Sequence, residues 1–360
     1  MSDFGIYIHW PFCKSKCPYC DFFSRVRKDI DQDAIVDSYI EDIAFYAQKT
    51  GPRSVTSIFF GGGTPSLLSP QNVERLIAAV ARNWRLAPDA EISLEANPNT
   101  RSNTLFADLR RAGVNRLSLG VQSLDNAELR FLGRTHTAAQ AMQSLEDVLK
   151  NFDNHSADFI YALPQQSLQG WDQSLRQILG LGLKHLSLYQ LTVEENTVFS
   201  KKGVRPLNEE EAAQIYLSTE EVLQKGGYRH YEISNYAQPG AECRHNLVYW
   251  HGGDYVGIGE GAHGRLRIGG RFFATTHRCR SEELSAAERA EELLLMGLRL
   301  REGIDKQRFY RCCGLEFDAF VNAEAVKELV SDGFLTDTPQ SLQITPQGLL
   351  VSDKIIEELL

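Results

Sequence analysis

Three cysteines fall close together near the start of the chain, in the run Cys13-Lys-Ser-Lys-Cys17-Pro-Tyr-Cys20. Thiolates on one short loop are soft ligands that can hold three irons of a cubane iron–sulfur cluster and leave the fourth iron open. An open iron can bind a small chelating molecule through neighbouring amino and carboxyl groups. The same sulfurs, with His9 or a distant residue as fourth ligand, would hold a tetrahedral zinc ion, and the C-x3-C-x2-C spacing alone admits both. Context favours the cluster, because the loop follows directly on a strand-like run and precedes a long alternation of strand and helix patterns. The other cysteines (Cys243, Cys279, Cys312 and Cys313) are scattered, and an odd total of 7 makes no disulfide framework. They read as small core or surface residues.

Further polar residues and glycines punctuate the ends of strand-like runs. Gly61-Gly62-Gly63-Thr64 closes one, where glycines let the backbone approach a ligand and leave amides free for its carboxylate. Glu95 ends the next and can accept hydrogen bonds from hydroxyl or ammonium groups. Gln122, Arg134 and Asp158 end strands or open loops on the same side. Singly, each reads as a turn, cap or surface residue; in order after a cysteine loop, they read as parts of one ligand site.

The elements that must position these residues are legible as strand candidates at Gly5–His9, Val55–Phe60, Glu91–Ala96, Arg116–Gly120, Ala157–Ala162 and Leu186–Gln190. Helical patterns lie between them, at Asp33–Gln48, Pro70–Asn83, Asn103–Ala112, Thr137–Lys150, Leu168–Leu181 and Glu209–Lys225. In the second of these, Val73, Leu76, Ile77 and Val80 recur at helical spacing and mark a buried face. Such alternation predicts parallel βαβ units. Six units suit an α/β fold built as an open, partial (β/α)6 barrel over residues 1–230, with its chemistry at the carboxyl ends of the strands. Residues 231–284, rich in Gly, Tyr, His and Asn, predict an irregular segment with short strands. From 285 to 360 a helix at Glu288–Arg301, shorter helices and a hairpin near Gly333-Phe334-Leu335 predict a small winged-helix-like domain.

Composition narrows the function classes. The chain has 360 residues, 42% hydrophobic and 24% charged, with a net charge of −9. That charge argues against nucleic acid or anionic membrane as the main partner, and the C-terminal domain shows no basic recognition helix. No apolar run approaches the roughly 20 residues needed to span a bilayer. The opening MSDFGIYIHWPFC has no basic stretch followed by an apolar run, so it does not read as a signal peptide. A cytoplasmic location is expected.

The cysteine spacing after a first strand resembles the signature of the radical S-adenosylmethionine superfamily. Gly5-Ile-Tyr-Ile-His-Trp-Pro-Phe-Cys13 resembles its oxygen-independent coproporphyrinogen III oxidase branch. The likeness continues through Gly61–Ser66, Glu95-Ala-Asn-Pro98, Leu119-Gly-Val-Gln122, Asp158–Pro164 and His245-Asn-Leu-Val-Tyr-Trp250. It implies a [4Fe–4S] cluster on Cys13, Cys17 and Cys20. It also implies S-adenosylmethionine contacts from Tyr7, Gly62, Gly63, Thr64, Glu95, Gln122, Arg134 and Asp158. Two departures separate the chain from the oxidases: Phe22 stands where they resemble C-x3-C-x2-C-x-C with a further cysteine, and the cysteine loop arrives without their long leading extension. Both features resemble the HemW family of haem chaperones. That likeness implies haem as a third cofactor and a haem-acceptor protein, soluble or membrane-bound, as partner, with radical decarboxylation of coproporphyrinogen III as the alternative. Within it, His245 is a candidate haem ligand, with Tyr249 and Trp250 as packing surfaces for the macrocycle.

Overall fold

The computed structural model describes residues 4–98, 104–276 and 280–360. Asn103, where one helix was expected to begin, and Cys279 lie outside them. Six strands run parallel: β1 (Phe4–Trp10), β2 (Ser54–Gly62), β3 (Arg85–Ala96), β4 (Arg116–Gln122), β5 (Asn154–Tyr161) and β6 (His185–Gln190). Their near-continuous burial, as in Phe4, Ile6, Ile8 and Trp10 of β1, is what a parallel sheet covered on both faces requires.

Helices return the chain between these strands: α1 (Gln32–Thr50), α2 (Pro70–Asn83), α3 (Leu105–Arg111), α4 (Asn126–Phe131), α5 (Ala138–Asn151), α6 (Leu168–Leu179) and α7 (Glu209–Lys225). Local chemistry fixes their starts. The Ser69 hydroxyl accepts from the Asn72 amide with Pro70 in the first turn, and Thr137 with Gln140 closes a reciprocal cap on α5. In α2, Val73, Leu76, Ala79 and Val80 are buried and Ile77 packs partly buried against the same core.

The segment 231–284 has the expected short strands, but they are ordered into the main sheet and a helix lies among them. After β7 (Arg229–Glu232) come β8 (Asn235–Ala237), helix α8 (Arg244–Trp250), and β9 (Asp254–Ile258), β10 (His263–Ile268), β11 (Arg271–Thr276) and β12 (Arg280–Leu284). The sheet then has 12 strands in the order β12-β11-β10-β9-β1-β2-β3-β4-β5-β6-β8-β7. β9 is parallel to β1, and β10 to β12 form an antiparallel meander beyond it. Close crossing hides the strands from a reading of periodicity: Gly257 lies so near the His263 backbone that a Cβ would come within 2.2 Å of its carbonyl oxygen.

The last part of the chain has its own core of Leu294, Leu298, Phe309, Phe317, Leu342 and Ile355. It is built from α9 (Ala286–Gly297), α10 (Lys306–Cys313), α11 (Ala323–Ser331), α12 (Ser352–Leu359) and three short antiparallel strands: β13 (Ile304–Asp305), β14 (Leu335–Asp337) and β15 (Ser341–Ile344). Cys313 is one of its buried apolar residues. This unit is tied to both flanks of the large sheet. On one flank the buried Arg289 donates to the Gly252 carbonyl at 2.6 Å, and Arg265 pairs with Glu292 at 2.7 Å. On the other, Leu300 forms a bridge with Glu232, and the Arg301 amide donates to the Tyr231 carbonyl at 3.0 Å.

Candidate functional site

The cysteine loop lies over the carboxyl ends of β2 to β6 and encloses, with them, a cavity of about 410 Å³. Cys13, Cys17 and Cys20 line it together with Gly62, Gly63, Thr64, Glu95, Gln122, Arg134 and Asp158. Tyr7 faces a second cavity of about 310 Å³ deeper in the barrel lumen, and Glu95, Asp158 and Tyr189 border both. The sheet therefore brings together side chains that are far apart in sequence.

The loop is held by protein contacts. The Gly63 amide donates to the Trp10 carbonyl at 2.8 Å, and the Thr64 amide to the Phe12 carbonyl at 2.9 Å. These two amides were expected to be free for a ligand; they instead tie the glycine turn to the cysteine loop. The glycines are needed for closeness. A Cβ at Gly63 would stand 2.7 Å from the Phe12 carbonyl oxygen, and one at Gly62 2.6 Å from the His9 ring, at a backbone φ of 108°. His9 is buried and bridges Tyr7, whose hydroxyl lies 2.9 Å from Nδ1, to the Phe23 carbonyl, 2.8 Å from Nε2.

Polar groups converge on the sulfurs. Thr64 Oγ1 faces Cys13 Sγ at 3.6 Å, and Arg134 Nη1 lies 3.4 Å from Cys17 Sγ. The Arg134 guanidinium also donates to the Gly120 carbonyl at 2.9 Å and to Asn97 Oδ1. Burial pushes the Cys20 thiol up, and its two neighbouring cysteines reinforce the shift. Burial and the Asp158 carboxylate push Glu95 up to about 8, against the Gly62 amide, which favours its ionised form. Asp158 is likewise raised by burial, and the hydroxyls of Ser187 and Ser118 oppose the shift, the latter at 2.9 Å. Gln122 takes a left-handed φ of 70° beside a register shift between β4 and β5, local strain of a kind that concentrates at functional sites.

The residues present suit an iron–sulfur cluster. The three thiols are unbridged, face one cavity, and have a cation and a hydroxyl directed at two of the sulfurs. Among the described residues no three His, Cys, Asp or Glu side chains gather as a single metal ion requires.

The residues expected to meet haem do not share a face. His245 is fully buried, with Nδ1 2.7 Å from the Ser57 hydroxyl and Nε2 2.6 Å from the Tyr249 hydroxyl. Its ring stacks on Phe59 at 5.2 Å, and burial holds its pKa down to about 3. Both nitrogens are engaged with hydroxyls, and a bond from this ring to an iron would have to displace one of them. Tyr249, four residues on, touches His245 and lines the lumen, whereas Trp250 turns to a small cleft against Leu293 and Leu300. Successive helical residues project in different directions, which separates the two aromatics. Sequence reasoning did not single out Asn97, which donates to Thr64 at 3.1 Å and accepts from Arg134, or Tyr19, 3.4 Å from the same guanidinium. Asn97 lay inside the Glu95–Pro98 motif and could have been found there.

A cysteine loop, a glycine turn and acidic strand ends on one rim of a parallel sheet define a radical S-adenosylmethionine protein. The Radical SAM superfamily profile matches residues 7–178, and the HemN C-terminal domain profile matches 284–351. The chain is 37% identical to heme chaperone HemW of Escherichia coli, over 99% of this chain and 98% of that one. It is also 37% identical to radical S-adenosyl methionine domain-containing protein 1, mitochondrial, of Bos taurus, over 99% and 87%. The chain belongs to the HemW family. In fold it is similar to coproporphyrinogen III oxidase (HemN) from Escherichia coli, with a TM-score of 0.82 at 21% identity over 99% of this chain and 89% of that one.

Proposed function

We propose that the protein binds haem and passes it to an acceptor protein, with a [4Fe–4S] cluster on Cys13, Cys17 and Cys20 and S-adenosylmethionine in the adjoining cavity. The end-to-end match to a curated haem chaperone carries this reading. Phe22 supports it: the residue is 60% exposed at the cavity rim, where the decarboxylating branch was expected to place a cysteine. When bound, the cluster supplies an open iron and a single electron. Arg134 and Thr64, which already meet the Cys17 and Cys13 sulfurs, would steady those thiolates as its ligands. Glu95, Gln122 and Asp158 form a polar wall for the ribose and amino groups of the ligand, with Gly62 and Gly63 as a close floor and Tyr7 bracing that floor through His9. No described helix is long and apolar enough to cross a membrane. We place the protein in the cytoplasm, acting on an acceptor that can itself be membrane-bound.

The test uses full-length protein reconstituted with iron and sulfide without oxygen. Haem added to it should develop a Soret band and then move to apomyoglobin. Coproporphyrinogen III, supplied with S-adenosylmethionine and a reductant, should remain unchanged. Repeated turnovers of decarboxylation would sink the chaperone reading in favour of the oxidase.

A further inference from the structure

Arg116, the first residue of β4, stands fully buried at the wall of the lumen cavity below the cluster pocket. A guanidinium carries five N–H donors, yet this one donates no hydrogen bond to any described residue, and its Nε is buried without a partner. The nearest carboxylate, Glu91, is 3.9 Å away, beyond hydrogen-bond reach. The oxygens of Glu91 are already taken by the amides of Arg244 and His245 at 3.1 Å each, the Ser93 hydroxyl at 3.2 Å and the Cys243 thiol at 3.5 Å. Glu91 thus caps α8 and offers Arg116 a countercharge without a bond. Asp158, across the cavity, accepts from Ser118. A buried cation with unused donors is costly unless something in the cavity meets it. The space of about 310 Å³ is large enough for that partner to be a small molecule or one end of a larger one.

We infer that the lumen holds the carboxylate end of a ligand, paired bidentately with Arg116 and flanked by the Ser118, Ser187 and Tyr249 hydroxyls. Planar carboxylates match the guanidinium fork; Ser118 and Ser187 are held by Asp158, and Tyr249, set against His245 Nε2, is the hydroxyl that can turn its proton to the ligand when the ring donates. The ligand's carbon chain would leave the lumen between Glu95 and Asp158, which border both cavities. A carboxylate of this kind can come from a propionate side chain of haem or from a free small acid. The site itself does not depend on the haem reading.

Carbon-13-labelled propionate, followed by nuclear magnetic resonance on the full-length reconstituted protein, tests the site, with propionamide as the uncharged match. Propionate should bind saturably and propionamide should not. Arg116→Lys, which keeps the charge but loses the fork, should weaken propionate several-fold, and Arg116→Gln by about tenfold or more. Haem and its dimethyl ester then separate the two sources. If the parent prefers haem and Arg116→Gln removes the preference, the carboxylate is a haem propionate. If haem and ester bind alike while propionate still needs Arg116, it is a free acid. Equal treatment of propionate and propionamide by the parent overturns the site, as does Arg116→Lys with unchanged affinity. The parent and the lysine variant decide the matter even if Arg116→Gln fails to fold.

Discussion

Glu95 has the Gly62 amide on one side and the Asp158 carboxylate on the other. Because its value rises from the ordinary 4.5 to about 8, the folded chain keeps a proton that the unfolded chain has already released. Stability contributed by this group is therefore whole below pH 4.5 and is lost as pH climbs to about 8. Glu95→Gln should remove that slope. Thermal melts of cofactor-free protein should show the variant gaining on the parent from pH 5 to pH 8, by about 1–2 kcal/mol once water in the cavity is allowed for. A parallel pH dependence in the two proteins would mean that Glu95 stays ionised. His245 is buried with both ring nitrogens on hydroxyls, which favours a structural role. His245→Ala leaves a cavity and strips partners from Ser57 and Tyr249, so denaturant melts should show a loss of about 2–4 kcal/mol. The haem Soret maximum of the surviving folded protein should stay where the parent has it, and a shifted maximum would restore His245 as a ligand.

At the scale of elements, the glycine turn is a contact between β2 and the cysteine loop. Gly63→Ala would push a methyl group into the Phe12 backbone, which cannot rotate away as a side chain can. It should cost about 2–3 kcal/mol and lower iron content after reconstitution. Gly269→Ala, at an open turn with a φ of 59°, is the comparison, with about 1 kcal/mol of backbone cost and normal iron. Equal iron in both variants would separate the turn from the cluster seat. Most of the barrel was legible because its strands are short apolar runs and its helices carry one apolar face. Pro70–Asn83 and Glu209–Lys225 match the observed helices residue for residue. The region after Glu232 was not legible for a physical reason: β9 and β10 are punctuated by glycines that their own crossing demands, and α8 has only seven residues, too few for a helical period to stand out. Glu95 and Gln122 were legible because they sit at strand ends, whereas Asp158 lies within β5 and Arg134 beyond α4, where only the fold brings them to the cavity. The engagement of the Gly63 and Thr64 amides was not, since only the path of the loop decides where an N–H points.

Across the whole molecule, the two cores are joined by polar contacts on both flanks, one of them made by Arg289. Its guanidinium is buried between the Gly252 carbonyl and Glu292. Arg289→Ala should cost about 2–3 kcal/mol. Limited proteolysis should then release the C-terminal unit earlier than in the parent, and an unchanged digestion pattern would place the junction's strength elsewhere. The same unit reaches the opposite flank of the sheet through Leu300 and Arg301. It thus works as a buckle across a belt whose ends never meet. Loosening that buckle on one side would therefore be felt at both margins of the sheet.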